Sequence, residues 1–226
     1  MNLLVVVPAY NEEACLANTI VSLRQACPGV DYLVVDDGSS DATLRICQEQ
    51  NLNHVSLPIN TGLTSCFRTG MKYAWRKGYD AVLQFDADGQ HLPAYIPAMA
   101  QAMEQEQAAI VIGSRVLGGE KIDGARGVGS KLISWLIRTT TGATITDPTS
   151  GMRMYDRRMI ERFANEFDTA PEPDTIALAA RKGYKVLEVP VTMQERQGGE
   201  SYLKLPSIIS YMSRTCLSII LFQWLR

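Results

Sequence analysis

The sequence predicts an α/β fold: a mostly parallel central sheet with helices on both faces. Three observations predict it. Short apolar runs recur along the first half of the chain, at residues 3–7, 32–35, 54–57, 81–85 and 109–112. Segments with helical periodicity separate them, at 12–25, 41–50, 63–77 and 93–106. Acidic or polar clusters follow four of the strands directly. Continuous apolar strands read as buried on both faces, and the intervening helices supply crossover and cover. In an open sheet of this kind ligands bind beyond the carboxyl ends of the strands, where these clusters fall.

The elements follow in order. Residues 3–7 are an uninterrupted Leu-Leu-Val-Val-Val run, too short for the apolar region of a signal peptide and without a basic segment before it. The run reads as a buried strand. The strand and helix segments above then alternate as far as residue 112. The second half is less regular. Residues 118–129 hold five glycines with Glu120, Lys121, Asp123 and Arg126, which reads as a mobile surface loop. A helix is expected after it, through residue 137. Residues 152–155 and 186–191 read as strands, and 157–165 and 174–182 as helices. No repeat, low-complexity run or linker divides the chain. The expected organisation is one domain over residues 1–206 and a C-terminal amphipathic helix over 207–226.

Composition bounds the function. A chain of 226 residues suits one α/β domain with a full core. Hydrophobic residues at 46% and charged residues at 20% are ordinary for a globular protein. A net charge of -2 supplies no basic field for nucleic acid, so anion binding must come from local Arg and Lys groups. The five cysteines are odd in number and none is spaced as a CxxC pair, which argues against a disulfide framework or a structural zinc site. Reduced thiols in the cytoplasm are the simpler reading. No run reaches the ~20 apolar residues of a spanning helix.

The clusters carry the chemistry. Pro8-Ala9-Tyr10-Asn11-Glu12-Glu13 follows the first strand and Asp36-Asp37-Gly38-Ser39-Ser40-Asp41 the second. Asp86-Ala87-Asp88-Gly89-Gln90-His91 follows the fourth and Ser114-Arg115 the fifth. Taken alone, Asp36 to Asp41 also suits a turn and helix cap, and Asp86-Ala87-Asp88 also suits a turn. The sharper reading of the second is that two carboxylates spaced i, i+2 converge on a hard divalent cation, Mg²⁺ or Mn²⁺, completed by substrate phosphates. His91 is an additional ligand in that reading or a structural hydrogen-bonding group.

These motifs, in this order and spacing, resemble the family-2 inverting glycosyltransferases of GT-A fold, and most closely the polyprenyl-phosphate branch typified by dolichyl-phosphate mannose synthase. The resemblance continues through Asn60-Thr61-Gly62, Ser114-Arg115, Arg126 with Ser130, Asp147-Pro148-Thr149-Ser150-Gly151-Met152-Arg153 and Arg196-Gln197-Gly198-Gly199-Glu200-Ser201. It implies that Pro8, Tyr10 and Glu12 frame the nucleotide base and Asp36 hydrogen-bonds it. It gives Asp86, Asp88 and Gln90 to the metal and donor diphosphate, and Asp147 to the sugar or the metal. It gives Arg115, Arg126, Ser130 and Arg196 to the acceptor phosphate. The catalytic group is then Asp88, Asp147 and Arg115.

A phosphate acceptor also has a physical rationale. Inverting transfer is one in-line displacement, with the metal carrying charge on the departing nucleotide. A hydroxyl acceptor needs a general base. A lipid phosphate is ionised already and needs cations to position it, a task for Arg115, Arg126, Lys131 and Arg196. Any one of these can equally be an ordinary surface charge. The expected partners are a nucleotide-sugar donor, UDP-sugar favoured over GDP-mannose, a polyprenyl phosphate and the membrane surface. Near the C-terminus Ile208, Ile209, Met212, Ile219 and Ile220 alternate with serines and Arg214, and Trp224 and Arg226 end the chain. That pattern suits an interfacial helix at the inner face of the cell membrane, or a terminal helix packed on the domain or dimerising, and a small integral-membrane protein is a further candidate partner. Transfer to a saccharide hydroxyl, and a non-catalytic nucleotide-binding module, remain the competing functions.

Overall fold

The computed structural model of the chain describes residues 1–166, 169–194 and 205–221, the last segment with side chains from residue 210 onward. The strands are β1 (Leu3–Ala9), β2 (Asp31–Asp36), β3 (His54–Ser56), β4 (Ala81–Gln84), β5 (Ile110–Ser114), β6 (Arg153–Asp156) and β7 (Val186–Pro190). They form one sheet in the order β3-β2-β1-β4-β6-β5-β7. All neighbours pair in parallel except β6, which runs antiparallel to both β4 and β5. The helices are α1 (Leu16–Ala26), α2 (Thr43–Glu49), α3 (Leu63–Lys77), α4 (Ile96–Glu106), α5 (Gly124–Thr141), α6 (Arg157–Asn165), α7 (Pro173–Arg181) and α8 (Leu205–Ile220). The α/β, mostly parallel expectation is met.

Alternation along β1 shows how the apolar runs build two cores. Leu4 and Val6 face one side, with Phe67 and Met71 of α3, Ile133 and Ile137 of α5, and Ile219 of α8. Leu3, Val5 and Val7 face the other, with Leu16, Ile20 and Leu23 of α1 and Ile96 and Met99 of α4. Burying each such side chain contributes ~1.5–3 kcal/mol. With both faces covered, polar loops are confined to the strand ends.

Two readings change. The helix expected from residue 12 begins at Leu16, because residues 12–15 form a turn entered through Asn11 in a left-handed conformation (φ 55). The glycine-rich segment 118–129, read as a loop, is only half loop: α5 starts at Gly124. Glycine in a helix costs about 1 kcal/mol against alanine, which is why the segment reads as irregular. Here close packing overrides propensity. A Cβ on Gly127 would lie 1.8 Å from the Ile122 carbonyl oxygen, and one on Gly129 would lie 2.6 Å from the Met212 sulfur on α8.

Candidate active site

The carboxyl ends of β1, β2, β4 and β5 lie on one edge of the sheet, and each predicted cluster sits there. The loops after β1 and β2 are stitched together. Asn11 N–H donates to Ser39 Oγ (3.0 Å), Ser40 N–H donates to Asn11 Oδ1 (2.9 Å), and Glu12 N–H donates to Thr43 Oγ1 (2.8 Å). Glu13 N–H donates to Asp41 Oδ2 (3.1 Å). Pro8, Tyr10 and Glu12 are half-buried along this edge. Burial pushes the Asp41 carboxyl up, but hydrogen bonds from Thr43 and Glu13 outweigh it and hold it below its usual value.

Asp36 is fully buried, accepting from Ser56 Oγ–H (2.6 Å) and Ser39 N–H (3.2 Å). Its neighbour Asp37 has a role the sequence reading did not assign. Its carboxylate accepts from Thr61 N–H (2.9 Å), Thr61 Oγ–H (2.8 Å) and Gly62 N–H (2.8 Å), and so pins the Asn60-Thr61-Gly62 loop that opens α3. Beneath it, burial together with the charges of Asp37 and Asp36 pushes the Cys66 thiol up to about 12, so it stays protonated and is no nucleophile.

After β4, Asp86 is partly exposed and Asp88 is buried. His91 braces the first of these. Its Nδ1 accepts from the Asp86 amide (2.9 Å), which puts the ring proton on Nε2, 3.6 Å from Asp86 Oδ2. His91 therefore serves as an orienting group for Asp86. Gln90 N–H donates to Asp88 Oδ1 (3.0 Å), and Thr19 Oγ–H from α1 holds the Ala87 carbonyl (3.0 Å). Among the described residues no three His, Cys, Asp or Glu side chains gather at one point. Asp86 and Asp88 are nevertheless the hard oxygen donors a Mg²⁺ or Mn²⁺ ion takes when substrate phosphates complete its shell.

The antiparallel strand β6 brings in the second half of the site. Because β6 starts at the edge where its neighbours end, the loop before it, residues 147–151, enters beside Asp86. A Cβ on Gly151 would lie 2.8 Å from Asp86 Oδ2. In the same loop Asp147 is fully buried and grips Arg115 with two parallel bonds, Arg115 Nε–H to Oδ2 (2.7 Å) and Nη2–H to Oδ1 (2.8 Å). The Arg115 amide adds a third (3.1 Å). Thr149 Oγ1 accepts from Arg115 Nη2 (3.1 Å) and lies 3.4 Å from Ser130 Oγ on α5. The resemblance gives Asp147 to the sugar or metal. Its oxygens are turned to Arg115 and Thr149, taking bonds from Nε and Nη2 of the guanidinium and from the Thr149 hydroxyl.

Buried Arg153 holds the same loop from below, donating through Nε to the Ser150 carbonyl (2.7 Å) and through Nη2 to the Pro148 carbonyl (2.8 Å). Arg126 is exposed in the first turn of α5, one turn before buried Ser130 and on the same helix face. Lys131 is also exposed. Arg196 lies outside the described residues, but the segment leading to it is anchored: Gln194 N–H donates to the Gln90 carbonyl (3.0 Å). Two adjoining groups result: the carboxylates Asp86 and Asp88, and Arg115 linked through Thr149 to Ser130, with Arg126 one turn before Ser130 on α5.

The chain is similar to known proteins over most of its length. The chain is 34% identical to the undecaprenyl-phosphate mannosyltransferase of Micrococcus luteus, over 89% of this chain and 87% of that one. It is 32% identical to the polyprenol monophosphomannose synthase of Mycolicibacterium smegmatis, over 88% and 79%. A solved structure of glucosyl-3-phosphoglycerate synthase from Mycobacterium tuberculosis, in complex with Mn²⁺, uridine diphosphate and phosphoglyceric acid, matches with a TM-score of 0.71. It covers 98% of this chain and 78% of that one at 19% identity, a likeness of fold, the GT-A arrangement. Residues 4–164 match the family described as Glycosyl transferase family 2. With the family's motifs assembled on one sheet edge, this chain is a glycosyltransferase and belongs to glycosyl transferase family 2.

Proposed function

We propose that the protein transfers a sugar from a nucleotide-sugar to a membrane polyprenyl phosphate, inverting the anomeric carbon, at the inner face of the cell membrane. The observation that carries this reading is the Arg115 guanidinium, fixed by Asp147 beside Ser130 and next to the Asp86 loop. A rigid cation adjoining an acidic pair suits two anions that must meet: the acceptor phosphate on the arginine, the donor diphosphate at the carboxylates. The relatives named above act, by their names, on polyprenyl phosphates.

The division of labour follows. Pro8, Tyr10, Glu12 and Asp36 receive the nucleotide, and we favour uridine because a carboxylate accepts from the uracil imide, which for buried Asp36 requires exchange of its Ser56 or Ser39 bond. Asp86, Asp88 and Gln90 hold a Mg²⁺ or Mn²⁺ ion together with the donor diphosphate. That cation supplies charge stabilisation for the leaving group. Arg115, Arg126, Ser130 and Arg196 hold the acceptor phosphate, and Asp147 acts through Arg115. An oxygen of the ionised phosphate attacks the anomeric carbon in line with the departing nucleoside diphosphate. No side chain need remove a proton from the acceptor.

Attachment to the membrane has its own support. No helix among the described residues is long and apolar enough to cross a membrane. The helix that carries Arg126 and Ser130 exposes Val128 (71%), Leu132 (46%) and Trp135 (59%) at one-turn spacing. The same helix exposes Arg126, Lys131 and Arg138. Apolar and basic groups on one exposed helix suit a peripheral seat on anionic lipid, and a small integral-membrane partner is not required for it.

The test uses purified protein, undecaprenyl phosphate in detergent, Mg²⁺ or Mn²⁺, and labelled UDP-sugars and GDP-mannose in parallel. The expected product is an acid-labile label in the organic phase. Asp88→Asn should reduce its formation by ~10²-fold or more, through loss of a charged metal ligand. Label that stays in water with every donor defeats the acceptor assignment, and transfer from GDP-mannose alone defeats the uridine choice.

A further inference from the structure

Glu188 stands in the middle of β7, an otherwise apolar edge strand, level with Ile112 of β5. A carboxylate in such a strand is costly unless it is paired. It is paired three times, to a single point of the chain. Oε2 accepts from Thr146 N–H (2.7 Å), and Oε1 accepts from Asp147 N–H (2.7 Å) and Thr146 Oγ–H (3.0 Å). The Thr146 hydroxyl in turn accepts from Ser114 Oγ–H (3.0 Å), and Ser114 Oγ accepts from Leu117 N–H (3.3 Å). One side chain thus ties the backbone that carries Asp147 to the end of β5 that carries Arg115.

We infer that Glu188 is a positioning residue for transfer: it sets the Thr146–Asp147 backbone so that Asp147 holds the Arg115 guanidinium in place for the acceptor phosphate. The inference rests on the acceptor reading proposed above. Its physical basis is the match of charge and donor count. Two backbone amides and a hydroxyl all donate, so the nest needs a group that only accepts. A carboxylate meets that need at Oε1 and Oε2 together. A carboxamide does not, because its NH₂ would face the Thr146 N–H. The two parallel Arg115–Asp147 bonds demand alignment, so a small rotation of the Asp147 backbone breaks one of them. Asp86 and Asp88 stand on a different loop with bonds of its own to His91 and Thr19, so the donor subsite meets the Glu188-held loop only at Gly151, four residues beyond Asp147.

The experiment compares the full chain with Glu188→Gln, Glu188→Asp and Thr146→Val, each alone and with Arg115→Lys. The readouts are separate donor and acceptor KM, kcat and the thermal midpoint. Glu188→Gln should raise acceptor KM, lower kcat, or both, by about tenfold or more, with donor KM within about twofold, the scale of one charge-assisted bond lost. Glu188→Asp, still an acceptor only, should recover part of the loss. Thr146→Val removes only the hydroxyl link and should shift the same constants less, which keeps the test open should Glu188→Gln not fold. In the Arg115→Lys background the effect of Glu188→Gln should largely vanish, because the two residues act as one unit. Equal losses with and without Arg115, or a lowered midpoint with unchanged acceptor constants, would reduce Glu188 to a fold-stabilising residue. A wild-type protein that transfers no sugar to polyprenyl phosphate removes the acceptor reading and this inference together. Active wild type with an indifferent Glu188→Gln removes this inference only.

Discussion

Gly151 joins the two proposed subsites at the scale of one atom. A methyl there would meet Asp86 Oδ2 at 2.8 Å and the His91 ring at 3.5 Å. The obstructing atom is the end of a short side chain, so the fold can absorb the change by turning the Asp86 carboxylate away. Gly151→Ala is therefore expected to keep the thermal midpoint of the apo protein within a few degrees. Its stabilisation by Mn²⁺ with a nucleoside diphosphate should fall, because the carboxylate proposed as a metal ligand has moved. Unchanged Mn²⁺-dependent stabilisation would mean that Asp86 does not hold the metal. The carboxylates of this edge were legible as a class and not individually. Asp36 and Asp37 are adjacent in sequence, yet one is bonded to Ser56 and Ser39 and the other pins Thr61 and Gly62. Apart from Ser39, three residues on, their partners come from β3 and from the loop before α3, which the local sequence does not show.

Among the elements, α8 is joined to α7 by two carboxylate–hydroxyl bonds, Tyr211 to Glu172 and Ser218 to Asp174 (2.6 Å). Burial pushes the Glu172 carboxyl up, while the Tyr211 hydrogen bond and the Arg153 charge pull it down; the net shift is upward. A carboxyl whose folded-state pKa is raised binds its proton more tightly in the folded protein. Its contribution to stability is complete below the unfolded pKa and is lost as pH rises through the folded value. Wild type should therefore lose thermal stability relative to Glu172→Gln as pH rises from about 4.5 toward neutrality. Midpoints measured side by side from acid to neutral pH check this, and parallel curves would mean that Glu172 is not desolvated in solution. The docking also bears on the tail. The described part of α8 packs on α5 and α7 and buries Ile219, while Leu217, Ile220 and Leu221 stay exposed. Residues 222–226, with Trp224 and Arg226, lie outside the described residues.

For the whole molecule, Arg126 and Ser130, proposed above for the acceptor phosphate, share one helix with the exposed apolar stripe of Val128, Leu132 and Trp135. A protein seated through that helix would meet a lipid phosphate without crossing the bilayer. The double substitution Leu132→Ser with Trp135→Ser should leave the fold intact, because both side chains are exposed. It should reduce flotation with anionic liposomes and transfer to long polyprenyl phosphate, and spare transfer to a short water-soluble phosphate acceptor that diffuses to the site. Equal flotation and equal transfer to the long lipid would separate the stripe from membrane binding.

The sequence by itself determined the layered α/β class, because apolar runs of strand length must be buried on both faces. It also placed the acidic clusters together at one sheet edge, because carboxylates that follow a buried strand must leave the core. Only the tertiary structure decided how the pieces meet. Strand direction leaves no mark in four residues of sequence, so antiparallel β6 was invisible, and with it the delivery of Asp147 and Gly151 beside Arg115 and Asp86. The start of α5 was hidden as well, since glycine reads as a helix breaker until Ile122 and Met212 are seen filling the space a Cβ would need. Glu188 lay in a segment legible only as a strand. Its three donors stand 41 and 42 residues away in sequence, and long-range hydrogen bonds of that kind exist only once the sheet has set the register.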